Sequence, residues 1–105
     1  MLKTGMTKSV VSDVIKIITC RSPVQKIILY GSRARGDFKP VSDIDLAVDA
    51  PQWSAVDLAV VKDELEDRVA TLLKFDLVLM ARIDKKSLKD NILKEGIVIY
   101  ESATR

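Results

Sequence analysis

Residues 26–49 read KIILYGSRARGDFKPVSDIDLAVD, and this stretch decides the fold. Its opening apolar run, Lys26–Tyr30, predicts a buried strand that is closed by Gly31. Residues 33–41 are rich in Gly, Pro, Lys and Asp, which indicates a turn or short helix followed by a loop. Apolar and polar residues alternate over residues 43–49, which is the period of a strand. Two strands joined by a polar turn are therefore predicted here.

The segment before this stretch carries helical periodicity. Thr7 or Ser9 can cap a helix there, and Ser22-Pro23 ends it. The apolar residues at helical spacing predict a buried face that comprises Val11, Val14, Ile15 and Ile18.

A longer helix is predicted to begin after Ser54. The Ser54 hydroxyl can cap the backbone, with Asp57 in the first turn. Trp53, just before the cap, can form a hydrophobic staple with Leu58. The buried stripe predicted for this helix comprises Leu58, Val61, Leu65, Val69 and Leu72.

The rest of the chain alternates between strand and helix. Residues 75–80 predict a third strand and residues 97–100 a fourth. Between them, residues 85–95 predict a helix that Gly96 stops. Its inward side chains are predicted to be Leu88, Ile92 and Leu93.

This order of elements predicts an α/β (α+β) fold in which helices pack on a mixed sheet of about four strands. The length of 105 residues predicts a single domain over residues 1–105, with its core at residues 7–101. Met1 and Met6 are both candidate starts, so the first five residues are expected to form an unstructured lead.

Composition excludes several classes of function. Apolar residues make up 48% of the chain and charged residues 30%, which is typical of a folded domain. The net charge of +2 argues against broad electrostatic binding of nucleic acid. The absence of histidine excludes catalytic triads and His metal ligands, and Cys20, the only cysteine, is expected to be a buried apolar residue. With neither a signal peptide nor a membrane span, the expected compartment is the cytoplasm.

Asp43 and Asp45 are the first candidates for chemistry. Two residues apart on a strand, they project from one face with backbones about 6–7 Å apart. Carboxylates that close repel unless a cation lies between them, and their oxygens suit Mg²⁺ or Mn²⁺. The alternative is that both lie on a solvated strand face, because an isolated Asp-x-Asp is common by accident.

Gly31-Ser32 lies where a buried strand meets a turn. Glycine allows a ligand to approach the backbone closely, and exposed N–H groups there suit phosphate. Ser32 adds a hydroxyl, while Arg33 and Arg35 can supply positive charge to a polyphosphate. Each feature alone is also consistent with an ordinary tight turn and surface charges.

The combination is more specific than its parts. If the two strands are neighbours, the carboxylates of one strand lie opposite the phosphates held at the end of the other strand. Metal-assisted phosphoryl or nucleotidyl transfer requires this arrangement. Asp76 lies early in the apolar third strand, where an unpaired carboxylate is costly to bury. A metal or nearby cation would explain it; a water-exposed strand end or a lysine partner is the alternative.

The stretch GSRARG at residues 31–36, followed by SDIDL at residues 42–46, resembles the signature of the polymerase-β-like nucleotidyltransferase superfamily. The ten residues between Gly-Ser and Asp-x-Asp resemble the spacing in minimal nucleotidyltransferases (MNT) of bacteria and archaea. The resemblance implies a triphosphate site at Gly31, Ser32 and Arg33, with Arg35 a weaker candidate. It also implies two Mg²⁺ ions, or Mn²⁺, on Asp43, Asp45 and Asp76, with Asp76 helping to activate the attacking hydroxyl.

The same resemblance implies a biological role. MNT proteins are typically encoded beside a HEPN-domain toxin and bind it, which predicts a hetero-oligomer. The expected reaction is transfer of AMP from ATP to a tyrosine of that partner, so that the chain acts as an antitoxin. Two alternatives stay open: an antitoxin that neutralises its partner by binding alone, and a nucleotidyltransferase of small molecules such as aminoglycosides.

Overall fold

The computed structural model describes residues 4–21, 23–69 and 71–102. Its strands lie within one residue of the predicted bounds, and the segment after Gly31, predicted as a turn or short helix, is a short helix. In chain order the elements are α1 Lys8–Arg21, β1 Lys26–Tyr30, α2 Ser32–Arg35, β2 Ile44–Asp49, α3 Ala55–Arg68, β3 Phe75–Leu79, a 3₁₀ turn Met80–Arg82, α4 Lys86–Glu95 and β4 Ile97–Glu101.

The four strands form one mixed sheet in the order β3-β2-β1-β4. β1 is antiparallel to both β2 and β4, whereas β2 and β3 are parallel. A parallel pair needs a crossover connection, and α3 supplies it between β2 and β3. The predicted α/β fold with a mixed four-stranded sheet is confirmed.

The two long helices begin where their caps predict. The Thr7 hydroxyl accepts a hydrogen bond from Val10 N at 3.2 Å, and α1 begins at the next residue, Lys8. At the start of α3 the Ser54 hydroxyl accepts from Asp57 N, while Ser54 N donates to the Asp57 carboxylate at 2.8 Å, which completes a capping box. Trp53 is buried beside this start. Among the described residues, the helices are too short or too polar to cross a membrane.

The two faces of the sheet are covered unequally. The larger core lies between one face and α1 with α3, and includes Ile18 of α1 and Leu65 of α3. On the opposite face a smaller cluster brings Ile28, Ala47 and Met80 against Ile92 of α4. Tyr30 and Val78 are partly buried against this cluster, whereas Asp76 is exposed, so α4 covers that face only in part.

Three side chains predicted to be buried are exposed. Leu72 is fully exposed because α3 ends at Arg68, so Leu72 does not continue the helical stripe. Leu93 is 62% exposed: it follows the buried Ile92 and is turned about 100° from it around α4. Cys20 is exposed because it lies about 200° around α1 from the buried Ile18.

The expected unstructured lead is also corrected for the residues that the structure describes. Thr4 and Met6 are both buried, and Met6 belongs to the larger core. The Thr4 carbonyl accepts a hydrogen bond from Arg33 Nη1 at 2.8 Å. Residues 4–6 therefore pack as part of the fold, whereas residues 1–3 lie outside the described part of the chain.

Candidate active site

The turn between β1 and α2 is built around Gly31. Its φ of 75° and ψ of −154° lie in a region that only glycine adopts without strain. A Cβ at this position would collide with Oδ2 of Asp45. Gly31 therefore permits both the turn and the close approach of a carboxylate to it.

Ser32 begins α2 directly beside that carboxylate. The first N–H groups of a helix have no partner within it, and no side chain of the described residues caps this turn. The Ser32 hydroxyl also makes no hydrogen bond in the described part of the chain. These donors are therefore available to an anionic ligand.

A row of three polar side chains crosses the sheet next to this turn. Tyr30 of β1 is paired with Asp45 of β2, and Asp45 is paired in register with Asp76 of β3. Residues directly opposite one another on neighbouring strands project from the same face. Tyr30, Asp45 and Asp76 therefore lie side by side on the face that α4 only partly covers.

Asp43 extends this row along β2. It lies two residues before Asp45, just ahead of the strand, and the hydrogen bond from Ile44 N to Lys74 O at 2.9 Å continues the pairing with the β3 side. Residues at this spacing on extended backbone share a face. The backbone thus brings Asp43, Asp45 and Asp76 to one end of the sheet, beside Gly31.

The row carries negative charge that the protein does not neutralise. Burial raises the pKa of the Asp45 carboxyl, and Asp76 and Asp43 raise it further, outweighing the opposite effect of Arg35 and Arg33. Burial, followed by the charges of Asp45 and Asp76, raises the pKa of Tyr30 to about 12. Tyr30 therefore stays protonated at neutral pH, and a nearby cation would stabilise the ionised form of Asp45.

The donor set fits a hard divalent cation. Cα atoms of in-register neighbours on adjacent strands lie about 5 Å apart, so Asp45 and Asp76 are close enough to share an ion. Within residues 4–21, 23–69 and 71–102, however, no three acidic, His or Cys side chains are arranged as a metal site. The three carboxylates are thus neighbours through their backbones, and their oxygens suit Mg²⁺ or Mn²⁺.

Arg33 differs from the expectation that it touches phosphate. The residue is only 2% exposed, and its guanidinium donates to the Thr4 and Ser42 carbonyls at 2.8 and 2.9 Å. It also lies 4.7 Å from the centre of the Phe38 ring. The guanidinium is therefore occupied with backbone carbonyls, one of which belongs to the residue before Asp43. Its position suits holding the loop that carries Asp43 better than binding a phosphate.

Arg35 remains on the surface of α2. It is exposed, and its Nε donates to the Asp37 carboxylate at 3.2 Å. An exposed pair of this kind contributes little to stability and is easily broken. Of the two arginines, Arg35 is the one whose guanidinium is accessible to a ligand at this end of the sheet.

Sequence reasoning missed Tyr30, Thr4 and Phe38. Tyr30 was assigned to a buried strand, and only the register with Asp45 shows that its hydroxyl lies in the row. Its place immediately before Gly31, with a polar tip on an apolar run, was the available signal. Thr4 and Phe38 carried no local signal, because they contact Arg33 from distant and irregular segments.

Comparison with known proteins identifies the family of the chain. The family model described as polymerase beta, nucleotidyltransferase, matches residues 12–105. A protein of Methanocaldococcus jannaschii that is assigned as a protein adenylyltransferase is 35% identical over 91 residues. That match covers 76% of this chain and 82% of the relative.

Solved structures share the fold. A chain from a toxin–antitoxin crystal structure with AMP-PNP has a TM-score of 0.76 at 24% identity, over 89% of this chain and 74% of that chain. A chain from the complex of a tri-AMPylated Shewanella oneidensis HEPN toxin with an MNT antitoxin has a TM-score of 0.73 at 22% identity. The match covers 92% of this chain and 74% of that chain. A structure assigned as a minimal nucleotidyltransferase has a TM-score of 0.68 at 25% identity. The match covers 83% of this chain and 86% of that chain.

Proposed function

The chain belongs to the polymerase β family of nucleotidyltransferases, as a minimal nucleotidyltransferase, and on this premise we propose that it transfers AMP from ATP to a protein tyrosine. The acceptor is a tyrosine of a HEPN-domain partner, and the chain acts in the cytoplasm as the antitoxin of that toxin. The observation that carries this proposal is the row of Asp45 and Asp76 beside the Gly31-Ser32 turn.

The choice of partner is supported by the relatives. The M. jannaschii relative is assigned as acting on protein, and one structural neighbour is a complex of an AMPylated HEPN toxin with an MNT antitoxin. These are properties of those proteins, and they favour a protein acceptor for this chain. The net charge of +2 gives no support for broad electrostatic binding of nucleic acid, and a protein partner would make the assembly a hetero-oligomer.

The sheet order supports one orientation of the substrates. The turn at Gly31 and Ser32 belongs to β1, whereas Asp45 and Asp76 lie on β2 and β3. The triphosphate of ATP would lie at the β1 side, held by the α2 N–H groups and the Ser32 hydroxyl, with Arg35 beside it. The acceptor hydroxyl would then approach from the β3 side, next to Asp76.

Asp43, Asp45 and Asp76 would hold two Mg²⁺ ions, or Mn²⁺. When bound, such ions neutralise the triphosphate and lower the pKa of a hydroxyl. Asp45, in the middle of the row, orients both substrates, while the exposed Asp76 carboxylate lies on the outer side, where it can accept the proton of the acceptor. Gly31 leaves room for the Asp45 carboxylate, and Arg33 holds the loop ahead of Asp43.

The reaction is a direct displacement. The tyrosine oxygen forms a bond to the α-phosphorus of ATP as the bond from that phosphorus to the α–β bridging oxygen breaks. Pyrophosphate leaves with the electron pair of the broken bond, the hydroxyl proton passes to Asp76 or to water, and AMP stays on the tyrosine. Because one displacement completes the transfer, no side chain of this protein forms a covalent intermediate.

The test compares two labels of ATP on the purified chain and the protein encoded next to its gene. Label on the α-phosphate is expected to enter the partner at a tyrosine, with the mass of one or more AMP groups, whereas label on the γ-phosphate is not. Transfer of the γ-label instead would contradict nucleotidyl transfer. Labelling of an aminoglycoside, with none of the partner, would favour a small-molecule acceptor.

Asp45→Asn is the matched loss-of-function variant, with Asp49→Asn of the same strand as its control. We expect Asp45→Asn to lower transfer by at least about a hundredfold, because it removes a central carboxylate. It should still fold, because burial disfavours the ionised Asp45 that it replaces. Asp49→Asn should retain activity, since Asp49 is paired with Lys26 away from the row. If Asp45→Asn protein still protects cells from the toxin, the antitoxin acts by binding alone.

A further inference from the structure

β3 is an edge strand with unused hydrogen-bonding groups. It pairs with β2 on one side and ends the sheet on the other. Lys74 O faces β2, since it accepts from Ile44 N, so by alternation the backbone groups of Phe75, Leu77 and Leu79 point outward. The Phe75 N–H is already satisfied by the Glu66 carboxylate at 3.1 Å. Leu77 and Leu79 have no strand partner on this side within the described residues.

An apolar groove runs along this edge. It has a volume of about 340 Å³ and lies between α3, β3 and the segment that leads from the 3₁₀ turn into α4. Its apolar walls are Leu58, Leu77, Val78, Leu79, Ile83 and Leu88. An edge strand flanked by apolar walls is the setting in which an extended peptide adds a strand to a sheet.

The rim of the groove is basic. Residues 82–89 read RIDKKSLK, with four basic side chains and one acidic, in a chain whose net charge is only +2. Three charged side chains line the groove and are exposed: the basic Arg82 and Lys85, and the acidic Asp84 between them. None of the basic side chains of this segment forms an ion pair with any residue that the structure describes. An acidic occupant would therefore find unpaired positive charge there.

The groove adjoins the site on the acceptor side. Val78 follows Asp76 by two residues on β3 and projects from the same face, about 6–7 Å further along the strand. The Gly31-Ser32 turn lies on the other side of Asp45, two strands away. An occupant of the groove that continues along β3 would thus reach Asp76 without crossing the place of the triphosphate.

We propose that the β3 edge binds the protein acceptor, in the form of an extended acidic segment that pairs with Leu77 and Leu79. One apolar side chain of the segment enters the groove against Val78 and Leu88. The acceptor hydroxyl lies two residues away on the same face of the added strand, beside Asp76. This inference rests on the proposed function, whose acceptor is a protein. The apolar walls and the free backbone groups suit a peptide, whereas the basic rim alone would also suit RNA.

The test is binding of fluorescent synthetic peptides in the absence of ATP. The acidic peptide carries one tyrosine, one leucine two positions away and glutamate elsewhere. A second peptide has lysine in place of glutamate, and a third is the acidic peptide with alternate backbone nitrogens methylated so that they cannot pair with β3. We expect the acidic peptide to bind at least about tenfold more tightly than either control.

Paired charge reversals locate the binding. The double variant Arg82→Glu with Lys85→Glu should lower the affinity for the acidic peptide about tenfold or more. The control Lys8→Glu with Lys16→Glu makes the same change of charge on α1 and should leave that affinity within about twofold. Equal binding of all three peptides, equal effects of both reversals, or a preference for an oligouridylate RNA would each overturn the proposal. If the peptide binds as expected but neither the peptide nor the partner protein gains AMP from MgATP, the proposed function is overturned and the groove assignment stays intact.

Discussion

At Asp45, burial and two neighbouring carboxylates act on one side chain, and Gly31 in the turn after β1 leaves room for its carboxylate. The spacing of Asp43 and Asp45 was sufficient to predict that both share a face. The sequence did not predict Tyr30 as their neighbour, because the register between β1 and β2 depends on pairing between residues distant along the chain. At this scale, the sequence predicts which residues of one strand share a face, but it does not predict contacts between strands.

Alanine substitutions at two glycines with positive φ distinguish the cost of backbone strain from the effect of contact with the site. Gly31→Ala should lose about 1–3 kcal/mol of unfolding free energy and most of its transfer activity, because its Cβ displaces Asp45. Gly36→Ala, at φ 90° with open space around it, should lose about 1 kcal/mol yet keep its activity. Urea unfolding and the transfer assay measure both effects. Equal activity in the two variants would contradict the role given to Gly31.

The titration of Tyr30 is expected to affect stability only in alkali. Its pKa is raised from 10.0 to about 12, so between these values the unfolded chain loses a proton that the folded chain retains. The free energy of unfolding should therefore fall as pH rises through this window. In Tyr30→Phe the fall should be shallower, as measured by urea unfolding from about pH 9 to about pH 12. Parallel curves for both proteins would show that Tyr30 does not titrate in this way.

At the scale of the element, α2 and the loop after it depend on one buried side chain. The turn at Gly31 and the loop up to Ser42 were both predicted, but the burial of the Arg33 side chain was not. Its partners include Thr4, 29 residues earlier, and no local pattern encodes such a contact. Arginines next to a glycine-rich turn are equally consistent with phosphate binding, so their roles could be assigned only from the structure.

Arg33→Lys should therefore behave as a change in structure and not as the loss of a phosphate ligand. The three nitrogens of Arg33 reach the carbonyls of Thr4, Pro40 and Ser42 separately, and the single Nζ of lysine does not span these positions. Buried carbonyls then lose donors, and the unfolding free energy should fall by about 3 kcal/mol. Arg35→Lys, on the exposed side of α2, should change it by less than about 0.5 kcal/mol. Thermal unfolding compares the two, and an equally stable Arg33→Lys protein would contradict this assignment.

At the scale of the whole molecule, the order of strands brings the site together. Helices and strands followed from periodicity and caps, because these are local properties of the chain. The order β3-β2-β1-β4 did not, since several orders are compatible with the same elements. That order puts the turn after β1 and the carboxylates of β2 and β3 on three adjacent strands. It also leaves β3 at the edge, where a second protein can approach Asp76.

The central claim is that Asp43, Asp45 and Asp76 hold divalent cations beside a triphosphate at Gly31-Ser32. It is tested most directly by counting Mn²⁺ ions bound per chain with AMP-PNP present, by electron paramagnetic resonance. We expect two tightly bound ions in the unaltered protein and in Asp49→Asn, and fewer in Asp45→Asn and Asp76→Asn. The same number of ions in all four proteins would contradict the account.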